Sequence, residues 1–234
     1  MRVLSRALVA LALVALIAAA ASGAQISQVQ NFSGTPDYSR TLTFNQIDLG
    51  PDCTLNWIKV ILTGNCNGGQ LILDNDSEDV ATGNFVFGSS SSIGSSSVPM
   101  LDASFNPVVG QVVAAHSGTF NLSPNVGDGL GDYDSSAPDG MLYLGGLESD
   151  SKEGFINNLF FPNYIGNGTF TVKVDTNQYM NYGGVSGVEV AFSPVDSFGT
   201  LEIIYDYTCV PEPSSILALT AGMGSLLALR RRRA

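Results

Sequence analysis

Leu201-Glu202-Ile203-Ile204-Tyr205-Asp206-Tyr207-Thr208 is the stretch whose reading decides the fold. Leu201, Ile203, Tyr205 and Tyr207 interleave with Glu202, Asp206 and Thr208. Successive side chains of an extended chain point to opposite faces, so this spacing gives one apolar face and one wet face. Phe170, Val172 and Val174 alternate in the same way with Thr171, Lys173 and Asp175. Leu42 and Phe44 alternate with Thr41, Thr43 and Asn45, and Val188, Val190 and Phe192 flank Glu189. Further strands are expected over 55–63, 70–74, 84–87, 111–115, 119–122 and 141–144. Turn residues punctuate them at Gly64-Asn65, Gly68-Gly69, Gly145-Gly146, Gly166-Asn167-Gly168 and Gly183-Gly184. Helical periodicity is hard to find between Gln25 and Val210. Many short strands without crossover helices predict an all-β antiparallel β-sandwich, jelly-roll-like or Ig-like, with a barrel as the alternative. Trp57, inside a strand, is expected in the core. The Ser/Gly run 88–97 and the Asp/Gly run 125–140 are expected to be long surface loops.

The two ends differ from this middle. Arg2 and Arg6 precede an uncharged apolar run from Ala7 to Ala21, followed by the small residues Ser22, Gly23 and Ala24. That order is the layout of a secretory signal peptide over Met1–Ala24. The expected cleavage lies between Ala24 and Gln25, with cleavage after Ala21 as the near alternative. At the other end, Val210-Pro211-Glu212-Pro213-Ser214 precedes an uncharged run from Ile216 to Leu229, then Arg230, Arg231, Arg232 and Arg233. The prolines forbid helix upstream of the run. As a helix it would span roughly 21 Å at 1.5 Å per residue, short of a bilayer core about 30 Å thick. The arginines are expected to stay on the cytoplasmic side. A signal helix and a short C-terminal hydrophobic helix therefore flank the expected sandwich, and the latter is a transmembrane helix only in transit.

This tail resembles the PEP-CTERM sorting signal. The resemblance implies recognition by an exosortase, an integral-membrane transpeptidase-like protease, cleavage near Pro-Glu-Pro, and a Gram-negative host that makes extracellular polysaccharide. It divides the chain into Met1–Ala24, an exported domain Gln25–Cys209 and a sorting segment Val210–Ala234. The opening of the domain resembles the choice-of-anchor E domain. That likeness rests on Asn31-Phe32-Ser33-Gly34-Thr35-Pro36-Asp37-Tyr38-Ser39, on Leu42–Asp48, on Leu49-Gly50, and on the run from Leu55 to Thr63-Gly64. Cys53 and Cys66 depart from that family's pattern, and the resemblance implies no molecular function.

Between Gln25 and Val210 stand four basic residues (Arg40, Lys59, Lys152, Lys173) against twenty acidic ones, a net charge of −16. Such a field repels nucleic acid and anionic lipid and attracts cations. Two acidic runs carry oxygens at a density that suits calcium. One is Asp74, Asp76 and Glu78; the other is Asp128, Asp132 and Asp134 among glycines. Neither follows the EF-hand template, and solvated turns are the plainer account of both. Tyr133, Tyr143, Tyr164, Tyr179 and Tyr182 stand in or near expected loops and suit a sugar site. The single histidine, His116, has no nucleophile elbow beside it and is expected on the surface at a strand end. No catalytic residues are assigned.

An exported chain permits disulfides. Pairing Cys53 with Cys66 conflicts with a straight strand over 54–63, whose ten residues would reach roughly 33 Å. An antiparallel last strand instead sets Cys209 beside Cys53, which leaves Cys66 free or intermolecular. The resulting expectation is a non-enzymatic surface or extracellular-matrix protein, structural or adhesive. A calcium-assisted carbohydrate-binding module is the alternative, with extracellular polysaccharide as its partner, and a secreted hydrolase is third.

Overall fold

The computed structural model describes residues 22–127, 131–136 and 138–210. Eleven strands run β1 (Ser22–Gly34), β2 (Tyr38–Asn45), β3 (Cys53–Asn67), β4 (Gln70–Asn75), β5 (Ala81–Ser96), β6 (Val112–Leu122), β7 (Gly140–Leu144), β8 (Glu148–Phe155), β9 (Thr169–Asn181), β10 (Val188–Ser193) and β11 (Asp196–Cys209). A 3-10 turn, Asn158–Asn163, stands between β8 and β9. Every ladder between these strands is antiparallel. The fold is all-β, as the alternation predicts.

The strands form two four-stranded sheets, β1-β11-β3-β8 and β2-β9-β5-β6, and a three-stranded sheet, β10-β4-β7. The larger sheets share one core. Ile58, Val60 and Leu62 of β3 and Leu201, Ile203 and Tyr205 of β11 meet Phe44 of β2 and Phe170, Val172 and Val174 of β9. A second core gathers Leu71 and Leu73 of β4, Phe85 and Phe87 of β5, and Phe120 and Leu122 of β6.

Small residues separate the two cores. Along the inner face of β3, Leu62 belongs to the first core, Cys66 to the second, and Gly64 lies between them. A Cβ on Gly64 would stand 3.2 Å from Val112 and 3.5 Å from the Ser91 hydroxyl. Ser89 Oγ lies 3.0 Å from Ser197 Oγ, and Ser91 Oγ lies 3.1 Å from Thr176 Oγ1. These hydroxyls satisfy one another, so a polar seam sits in the interior without stranded donors.

The seam corrects one sequence expectation. Residues 88–96 are the second half of β5, not a loop, and Ser89, Ser90 and Ser91 are buried. Trp57 is a second correction. The β3–β11 register shifts where Asp206 faces Trp57 and Tyr207 faces Leu55. The extra residue, Asn56, donates to Asp206 Oδ1 and Thr208 Oγ1. A bulge reverses side-chain parity beyond it, so Trp57 lies half-buried on the outer face, edge-on to Phe155.

Cys53 and Cys209 are joined by a disulfide, with Cα atoms 4.0 Å apart. Cys66 is a buried free thiol, and its Sγ donates to Ala114 O. Ala24 and Gln25 both lie within β1, paired with Tyr207 and Asp206. Residues 1–21 and the sorting segment from Pro211 on, including Glu212, Pro213, Ser214 and the four terminal arginines, lie outside the described residues. Among the described residues no helix is long and apolar enough to cross a membrane.

Candidate metal centre

The acidic constellation forms at one end of the small sheet. β4 ends in Asp74 and Asn75, both buried. Asn75 fixes the turn that follows: its Nδ2 donates to Asp79 O and Ser123 O, and its Oδ1 accepts from Ser77 N and Oγ. Asp76 N donates to Gly187 O. At Gly187 φ is +82°, and a Cβ there would stand 2.6 Å from Ser77, so glycine is required where the two segments cross. This stitching holds Asp76 beside Asp74. β10 pairs with β4 so that Glu189 faces Asp74. The 125–139 loop then brings Asp132 over both.

One carboxylate oxygen each from Asp74, Asp76 and Asp132 lies within 4.8 Å of the others. Asp74 is buried and its Oδ2 accepts from Asp134 N at 2.8 Å. Asp76 Oδ1 accepts from Asn125 Nδ2 at 3.1 Å. Asp76 Oδ2 and Glu189 Oε2 are buried oxygens with no hydrogen-bond partner. Desolvation pushes the Glu189 carboxyl above its ordinary range, and the Asp76 and Asp132 charges add to the shift. Converging carboxylates of this kind suit a hard cation such as calcium, which takes oxygen ligands at 2.3–2.6 Å.

Three of the six predicted ligands thus come together: Asp74, Asp76 and Asp132. Asp134 serves through its backbone N–H, while its Oδ1 closes its own turn onto Ser136 N. Glu78 is exposed on the turn and is not part of the group. Asp128 lies outside the described residues. The buried Asp139 instead holds the loop, its Oδ2 accepting from Val126 N. Glu189 was not among the expected ligands. Alternation placed it opposite Val188 and Val190, but only strand pairing sets it across from Asp74.

Two of the five expected sugar-facing tyrosines are engaged elsewhere. Tyr164 is wholly buried and donates to Pro99 O, so it cannot face a ligand. Tyr143 points into the second core and stacks on His116 at 4.9 Å. His116 lies in the middle of β6, not at a strand end, with Nδ1 3.3 Å from Glu148 Oε1.

No family model matches the chain. No curated protein matches it either. Viral particles are among the solved structures that align with it. One is of the Gx strain of infectious bursal disease virus: 9% identity, 80% of this chain, 42% of that chain, TM-score 0.19. Another is the VP2 subviral particle of the same virus: 10% identity, 88% of this chain, 50% of that chain, TM-score 0.16. The chain spans about half the length of these structures or less. Superpositions this loose carry no argument about function.

Proposed function

We propose that this chain is an exported, non-enzymatic structural or adhesive component of the bacterial cell surface or extracellular matrix, with calcium closing one end of its domain. The observation that carries the metal is the pair of buried, partnerless oxygens, Asp76 Oδ2 and Glu189 Oε2, beside Asp74 and Asp132. Converging carboxylates with oxygens held out of water repel one another and lose hydration. A divalent ion among them would reverse both costs. It would also pin the 125–139 loop to the small sheet through Asp132. Asp74 and Asp76 would hold the ion from the β4 end, and Glu189 from β10.

The strand order supports a jelly-roll-like wind over the Ig-like one. Setting β4, β7 and β10 aside, the remaining eight strands run first-eighth-third-sixth in one sheet and second-seventh-fourth-fifth in the other. Early and late strands alternate in both, as in a double Greek key.

The metal is tested by thermal unfolding of the full chain in excess calcium against chelator. The midpoint is expected to rise by several degrees in calcium, since binding to the folded state alone contributes about 2.7 kcal/mol at a hundredfold excess over Kd. Asp76→Asn and Asp132→Asn are each expected to abolish most of the rise. An equal midpoint in calcium and chelator removes the ion from the proposal. The export route has its own test, mass spectrometry of both termini of the protein recovered from the cell surface. Loss of the leader and of the segment beyond Pro211–Pro213 is expected. Retention of Arg230–Arg233 would reduce the tail to a plain anchor.

A further inference from the structure

We infer that β1 is a pairing edge through which two copies of this chain join, antiparallel and related by a two-fold axis. The inference goes beyond the reading above and depends on neither the ion nor the export route. β1 is thirteen residues long and carries no ionisable side chain, in a domain of net charge −16. Among the described strands it pairs only with β11. Gly23, Gln25, Ile26, Ser27, Val29, Gln30 and Asn31 are exposed along it.

Its neighbour across the corner does not cover it. Asn45, the last residue of β2, gives its backbone N–H to Gln28 Oε1 and accepts from Gln28 Nε2 with its carbonyl, both at 2.8 Å. A side-chain amide thus takes the two backbone groups that a ladder to β1 would use. The backbone edge of β1 stays available. The opposite edge of the same sheet is guarded. β8 carries Glu148, Asp150, Lys152 and Glu153, and it is sealed against the β6 side: Asp150 Oδ2 accepts from Val113 N, and Lys152 donates to Gln111 O. Charges on an edge strand are a common means of preventing strand addition, and β1 has none.

Charge also selects the occupant. A basic partner would be drawn to the acidic faces, since β1 offers it nothing. A second β1 brings an equally uncharged strand, and a two-fold contact needs only self-complementarity. The nearest acids, Glu202 and Asp206 on β11, are engaged by Ser27 and Gln25 of β1. In a continuous sheet the two β11 strands would lie about 14 Å apart, three strand spacings. That exceeds the Debye length of about 8 Å at 0.15 M salt and falls well inside the 30 Å at 0.01 M. Pairing should therefore strengthen as salt is added.

Analytical ultracentrifugation of the protein as purified from its host, kept in chelator, tests this. A dimer is expected at 0.15 M salt, and it should weaken at least tenfold at 0.01 M. The double variant Ile26→Glu and Val29→Glu charges two exposed positions beyond either expected cleavage point. It should weaken the dimer at least tenfold while the variant keeps its β fold by circular dichroism. Ser149→Glu on β8 should leave the dimer intact. A monomer at every concentration and salt overturns the inference. So does a dimer indifferent to the β1 variant, or one that the β8 variant disrupts equally.

Discussion

Tyr205 has the least compensated side chain in the core between the two larger sheets. Its ring is fully buried, its hydroxyl has no partner, and burial holds its ionisation well above the ordinary tyrosine range. A buried hydroxyl without a partner keeps its desolvation cost in full. Tyr205→Phe is therefore expected to stabilise the protein by about 1–2 kcal/mol in urea unfolding. Tyr164 makes the contrast: it is equally buried, but its hydroxyl donates to Pro99 O at 2.7 Å. The same change there should cost about 1 kcal/mol. If Tyr205→Phe lost as much as Tyr164→Phe, the hydroxyl would have a partner after all. Legibility divides along similar lines. Alternation put Tyr205 on the apolar face from sequence, but nothing local states whether its hydroxyl is met. Asp74, Asp76 and Asp132 were legible as acidic runs. Glu189 was not, because its membership depends on β10 pairing with β4 more than a hundred residues away in the chain.

At the scale of elements, period two located the strands with a single apolar face and missed those without one. β9 and β11 follow the rule: Phe170, Val172 and Val174, and Leu201, Ile203 and Tyr205, are all buried. β5 breaks it. Its second half reads as a flexible linker because Ser and Gly lack bulk, and in the sheet that lack of bulk is what lets β5 approach β3 at Gly64. Bulges are equally silent in a sequence, so Asn56 moves Trp57 to the outer face without a local signal. The close packing of β5 gives a quantitative expectation. A Cβ on Gly88 would stand 2.2 Å from Ala114 O and 2.5 Å from Ala115 Cα, both backbone atoms of β6. Neither can rotate away, so β5 and β6 would have to separate. Gly88→Ala is expected to cost about 1–3 kcal/mol, the usual range for overpacking. Gly50→Ala, where nothing lies within 4 Å, should stay within about 0.5 kcal/mol. Equal unfolding midpoints for the two variants would mean that the strands yield without cost.

For the whole molecule, the disulfide ties two-thirds of the chain into one loop. Cys53 and Cys209 are 156 residues apart in sequence, at the start of β3 and the end of β11. The next residue, Val210, donates its N–H to Asp52 O, so the last described residue is fixed at the clamp itself. Closing so long a loop removes about 5 kcal/mol of unfolded-chain entropy in the simplest account, and measured bridges commonly give 2–4. Self-repulsion among twenty acidic side chains favours expansion of the unfolded chain, which makes the closure matter more. Cys53→Ser with Cys209→Ser is expected to lower the unfolding free energy by about 3–5 kcal/mol. Reduction of the native protein should reproduce the loss. Because the repulsion is screened by salt, the deficit should shrink between 0.01 and 1 M sodium chloride. Cys66→Ser is the internal control: its thiol is buried against Ala114 O, so reductant should not change the difference between this variant and the native chain. A double variant that unfolds within 1 kcal/mol of the native protein would show that the unfolded chain is already held compact by something other than the bridge.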